Sequence, residues 1–203
     1  MIPSIEACLA VMDRLGMPVH IRRHSIMVEQ VAGVIAEACV QSEDPVFENT
    51  VRAGALLHDI AKAPCLETGE DHAAKGREFC LAWHFTEIAE LVGEHVRLRG
   101  FDPTGQVLEK EIVYYADKRV NHDRIVSLEE RLSDLIERYS KGSDELALRI
   151  RANFAMCRDV ERKIFRDLAF HPEDLPRLVA GPGSSGRLPG HEASGTGPEG
   201  GVP

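Results

Sequence analysis

Leu56-Leu57-His58-Asp59-Ile60-Ala61-Lys62 is an apolar run that ends abruptly in an imidazole and a carboxylate. On a helix, neighbouring side chains point about 100° apart. His58 and Asp59 can therefore reach one ion only if it lies off the helix, near its end. There the imidazole supplies nitrogen and the carboxylate supplies oxygen. The second carboxylate oxygen leaves Asp59 room to bridge to another ion. The same dipeptide also fits a buried, hydrogen-bonded His–Asp pair with no metal, and taken alone the stretch favours neither.

Working outward, the pattern predicts helices nearly throughout. The stretch itself falls in a helix that Asn49 or Thr50 can cap, running through Val51, Ala55 and Ala61 and stopping near Pro64. Before it come a helix over Ile5–Leu15 and a long one over His20–Val40, the latter with Val28, Val31, Ala32, Ile35 and Ala38 on one apolar face and a break at Glu43-Asp44-Pro45. After it, Asp71 can cap a helix that carries Ala74, Phe79, Leu81 and Ala82, followed by one over Thr86–Val96. Leu108–Val120 reads as helix. Ser127 and Glu130 form an S-x-x-E capping box that opens a helix to Tyr139, and Lys141-Gly142-Ser143 is a turn. Leu146, Ile150, Phe154, Cys157, Val160, Ile164 and Leu168 recur at helical spacing in a final helix over Asp144–Phe170. The fold class expected is all-α, a compact multi-helix bundle over residues 1–176, with C-terminal helices over 127–170. From 177 to 203, Gly, Pro and Ser leave little to bury, so a disordered tail is expected, with His191 outside the chemistry.

Composition narrows the function classes. Apolar residues make up 43% of 203 residues, an ordinary globular content. The net charge of −9 argues against general nucleic-acid binding, which needs a basic face. It leaves room for an anionic substrate held by a cation. No apolar run approaches the ~20 residues of a membrane span. Met1–Gly16 lacks a basic start and a small-residue cleavage site, so the cytoplasm is the expected location. Cys8, Cys39, Cys65, Cys80 and Cys157 fit neither a disulfide framework nor a zinc ribbon and read as reduced core thiols. No pattern specifies an oligomeric state.

Two other polar interruptions match the style of His58-Asp59. His24 sits in the apolar second helix. Asp117 ends the run Ile112-Val113-Tyr114-Tyr115-Ala116, where a carboxylate is costly unless it is paired or bound to a cation. Read singly, each is an ordinary surface or satisfied residue. The order His24, His58-Asp59, Asp117 resembles the H…HD…D pattern of the HD superfamily of metal-dependent phosphohydrolases, and Leu57–Lys62 is close to that family's usual HD helix end. The resemblance covers about residues 18–140. It implies a helical fold and one divalent metal held by His24, His58, Asp59 and Asp117. Asp71-His72-Ala73-Ala74-Lys75-Gly76, Glu94-His95 and the Leu108–Asp117 segment are in turn similar to the YqeK-like branch, which cleaves diadenosine tetraphosphate symmetrically. That likeness implies a second ion on His72 and His95, with Asp59 bridging. Lys118-Arg119-Val120 and Val96-Arg97-Leu98 depart from the branch pattern.

Mixed imidazole and carboxylate donors suit Fe, Mn, Co or Zn better than Ca or Mg. One or two such ions are expected. With two, a hydroxide held between ions ~3.5–4 Å apart can attack phosphorus in line. Asp59 and Lys62 are the expected catalytic residues. Lys62, Lys118 and Arg119 are the expected phosphate contacts, with Arg23 behind them. His84, His122 and Asp123 are weaker candidates, and His20 reads as a surface residue. The expected partner is a small phosphorylated molecule, a nucleotide before others. The alternatives are a one-metal monoesterase or phosphodiesterase, and a non-catalytic nucleotide-sensing module on the same fold.

Overall fold

The computed structural model describes residues 1–40, 46–140 and 142–181. The expected break at Glu43–Pro45, Lys141 of the expected turn and the tail from residue 182 on, with His191, lie outside the described residues. The elements in order are α1 (Ile5–Arg14), α2 (Val19–Val40), α3 (Glu48–Leu57), α4 (Lys62–Thr68), α5 (His72–Ala82), α6 (Thr86–Glu94), α7 (Glu109–Lys118), β1 (Val120–Asn121), β2 (Arg124–Ile125), α8 (Leu128–Tyr139), α9 (Asp144–Phe165) and α10 (Leu175–Ala180), with a 3-10 turn at Pro172–Asp174. The fold is all-α apart from the small β1–β2 hairpin. Among the described residues no helix is long and apolar enough to cross a membrane.

Local side-chain chemistry opens four of the described helices. Ser4 accepts from the Ala7 amide to open α1, and Asp71 accepts from the Ala73 and Ala74 amides to open α5. Ser127 and Glu130 close the expected capping box on α8, and Ser143 caps α9. The start of α3 departs from expectation. Its cap position is Phe47, with no side-chain bond, and neither Asn49 nor Thr50 serves. The helix also ends at Leu57 rather than running to Ala61. Pro64 is not a stop. It falls in the first turn of α4, where an amide has no intrahelical partner in any case.

α3 is the spine, packed by α1, α2, α6 and α7. Val51 and Ala55 enter the larger apolar cluster, which α2, α7 and α9 complete with Val28, Ile35, Ile112, Tyr115, Phe154 and Ile164. Ala53, Leu56 and Leu57 enter a second cluster with Cys8, Met12, Cys80 and Ile88. A helix placed between two cores presents apolar residues on both sides, which is why Ala53–Leu57 reads as an unbroken apolar run.

The inward face of α5 is made of small residues. Ala73, Gly76 and Cys80 are buried, whereas Ala74, Leu81 and Ala82 are exposed. A Cβ on Gly76 would lie 2.8 Å from Val92, so the glycine permits the close α5–α6 approach and sets the register. Leu108 and Leu146, expected inside, are exposed. The last long helix ends at Phe165 instead of Phe170, and α10 forms beyond residue 177, where a tail was expected. The cysteines are buried, as small core residues.

Candidate metal centre

The ends of helices converge on Asp59. α2 brings His24, near its N-terminus. His58 is the C-cap of α3, and Asp59 follows in the turn before α4. His72 is the first residue of α5, His95 is the C-cap of α6, and Asp117 lies one residue before the end of α7. Each Asp59 oxygen faces a different pair of imidazoles. Oδ2 lies 3.4 Å from His58 Nε2 and 4.0 Å from His24 Nε2. Oδ1 lies 3.4 Å from His72 Nε2 and 3.5 Å from His95 Nε2. Asp117 Oδ1 joins the first pair, 3.0 Å from His24 Nε2 and 3.7 Å from His58 Nε2. In two groups, His24–His58–Asp59 and Asp59–His72–His95, the ligand atoms lie within 4.8 Å of one another.

Backbone carbonyls orient the rings. Nδ1 of His24 donates to the His122 carbonyl at 2.9 Å, Nδ1 of His58 to Ala55 at 2.7 Å, and Nδ1 of His95 to Val92 at 2.7 Å. Each ring then turns its Nε2 toward the carboxylates, the arrangement that metal-ligating histidines use. Lone pairs facing carboxylate oxygens at these distances repel unless a proton or a cation lies between them. His58 Nε2 and Asp59 Oδ1 are buried with no hydrogen-bond partner. Leaving such groups unpaired costs on the order of 1–3 kcal/mol each. Nitrogen and oxygen donors, buried, convergent and unpaired, fit a divalent cation.

The electrostatics agree. Burial alone would raise the Asp59 carboxyl, but His58, His72 and His95 hold it well below the ordinary carboxylate range. Burial also works against Asp117, where Lys118, His24 and His58 prevail and keep it ionised. Burial brings His95 down to about 4 against the pull of Asp59, so its ring is neutral. Burial opposes a charge on His58, while Asp59 and Asp117 favour it and raise its pKa. A cation at His58 Nε2 would replace that proton.

The expected phosphate contacts separate. Lys62 is partly exposed, with Nζ 2.7 Å from Asp59 Oδ2. Lys118 is buried; its Nζ donates to the His95 carbonyl and to Asp117 Oδ2. Arg119 corrects the expectation. It is buried and donates to the Tyr115 hydroxyl, the Val126 and Pro172 carbonyls and Glu161, and none of these partners belongs to the cluster. Arg23 and His20 are exposed on the first turns of α2. His84 is exposed in the α5–α6 turn, and Asp123 is exposed in the hairpin loop. His122 takes part through its backbone, not its ring. Its φ of 58° turns the hairpin. Val120, expected to end the preceding helix, is instead the first residue of β1.

The family model described as HD domain matches residues 21–121, a span that contains His24, His58, Asp59, His72, His95 and Asp117. No curated protein and no solved structure matches the chain. Residues 21–121 are similar to the HD domain family.

Proposed function

We propose that this protein is a metal-dependent phosphohydrolase that cleaves a phosphoester or phosphoanhydride bond in a small substrate, a nucleotide before others, in the cytoplasm. His24, His58, Asp59 and Asp117 hold one divalent ion, and Asp59, His72 and His95 hold another, with Asp59 shared. Fe, Mn, Co and Zn suit this donor set. The observation that carries the reading is the pair of bare, buried acceptors, His58 Nε2 and Asp59 Oδ1, at the point where the helix ends meet.

When bound, such ions neutralise charge on a phosphoryl group and acidify water. The chain's own residues do the rest. The backbone carbonyls on Nδ1 keep the Nε2 atoms of His24, His58 and His95 aimed into the cluster. The buried sides of the cluster exclude bulk water. His72 and Lys62 are partly exposed while His58, Asp59 and His95 are buried, so the cluster opens on the His72–Lys62 side. A substrate arriving there meets the Lys62 ammonium, which can donate to a phosphoryl oxygen without leaving Asp59. The net charge of −9 then has little bearing inside the pocket.

The second imidazole pair favours a substrate with a chain of phosphates, such as a dinucleoside tetraphosphate. The test is metal analysis of the purified chain, followed by anaerobic reconstitution with each metal and assay on diadenosine tetraphosphate, nucleoside monophosphates and cyclic nucleotides. The reading expects bound metal and turnover of one of these classes. Metal-free protein that stays inactive after reconstitution would refute it, and tight nucleotide binding without turnover would support a sensing module instead.

A further inference from the structure

Lys118 carries an ammonium into a buried position, with 4% of its surface exposed. Such a charge is tolerated only where its donors are matched. Its Nζ donates to the carbonyl of His95, donates to Asp117 Oδ2 at 3.2 Å, and lies 4.1 Å from the centre of the Tyr114 ring. The two acceptors belong to opposite halves of the cluster. Asp117 turns its other oxygen, Oδ1, to His24 and His58. His95 turns its ring to Asp59 Oδ1 and to His72. Its carbonyl, at the end of α6, has no intrahelical donor to receive from.

The platform under Lys118 is fixed as well. The Tyr114 hydroxyl donates to Asn153 of α9, and Asn153 Nδ2 donates to the Val96 carbonyl at 3.1 Å, one residue beyond His95. Lys118 and Asn153 therefore grip adjacent carbonyls of the same turn, one from α7 and one from α9.

We infer that Lys118 is a positioning residue that fixes the His72–His95 half of the cluster against the His24–His58–Asp117 half. It holds the His95 backbone in place. It also occupies Asp117 Oδ2, so that only Oδ1 faces the imidazoles. This inference rests on the two-ion reading above. Without the ammonium, the His95 turn loses its anchor, while Asp117 gains a free oxygen for the His24–His58 side. The two ions should then respond differently. A substrate contact would instead leave metal binding unchanged and raise KM, and a general structural residue would weaken both ions together.

The experiment is manganese binding to the full chain by equilibrium dialysis with elemental analysis, for wild type, K118M and K118Q, alongside melting of the metal-free proteins. K118M keeps the stem against Tyr114 and removes the donor. One ion per chain should stay near wild-type affinity, with the other weakened about 10-fold or more. K118Q keeps an amide donor without the charge. It should weaken the same ion to a smaller degree, and it carries the test if K118M does not fold. Two ions bound at wild-type affinities in both variants, or an equal loss of both ions, would overturn the inference. A wild-type chain that binds no manganese overturns the metal reading itself. A wild type with two ions and unaffected variants overturns only the role of Lys118.

Discussion

His24 and His72 face the same carboxylate, one toward Oδ2 and the other toward Oδ1, and the chain holds them by different means. His24 is buried, and its Nδ1 is fixed by a carbonyl 98 residues away. His72 is half-buried at the start of α5, positioned by a helix that Asp71 caps two and three residues on. One position is set by the tertiary fold and the other by a local cap. A fold-set ligand moves only when packing moves. A cap-set ligand frays with the first turn of its helix, at a cost of about 1 kcal/mol. On the two-ion proposal, the His24 side should retain its ion more firmly than the His72 side.

The largest effect expected is that of Asp59→Ala, which removes the group common to both sides. Both ions should be lost and turnover should fall at least ~100-fold, as read by elemental analysis and assay. Wild-type metal content in this variant would erase the comparison. His72→Ala should remove one ion and leave the other, whereas His24→Ala should also lower the melting temperature because its ring is packed. Equal effects of the two substitutions would contradict the asymmetry. Asp71→Ala sharpens it. Loss of the cap should cost about 1 kcal/mol in unfolding experiments and weaken the more loosely held ion, leaving the other alone. The smallest effect is that of His122→Gly. The carbonyl is kept and a left-handed backbone is given to the residue that adopts it most easily, so metal content should not change. Stability should hold or rise by less than ~1 kcal/mol in thermal melts.

The sequence made His24, His58, Asp59 and Asp117 legible because each interrupts an apolar helix stretch, where an imidazole or carboxylate needs a reason, whereas His72 and His95 stood out only through the family resemblance. The helix caps at Ser4, Asp71, Ser127 and Ser143 follow the same local chemistry, although only Asp71 and Ser127 stood out among the polar residues nearby. What did not show were properties that depend on neighbours distant in the chain. The register of α5 is set by how closely Gly76 lets α6 approach. The hairpin rests on strands of two residues each, too short for an alternation to register. Lys118 and Arg119 look alike in sequence, yet one meets the cluster from behind and the other is matched to Tyr115, Glu161 and backbone carbonyls elsewhere. A cation's burial partner cannot be read from its own position.

The ion pair between Glu111 of α7 and Lys163 of α9 has a practical consequence. Its N–O distance is 2.8 Å, and each side chain is 1% exposed. Lys163 lies outside the span matched by the family model, and so do Asn153 and Glu161, which hold the hydroxyls of Tyr114 and Tyr115. A gene cut after residue 121 would yield a fragment with the ligands intact but a carboxylate stranded among uncovered aromatic rings. Stranding one member of such a pair costs ~3–5 kcal/mol, a large share of what a small domain has. Such a fragment should be recovered as aggregate, so any shortened form of this chain needs to extend through α9.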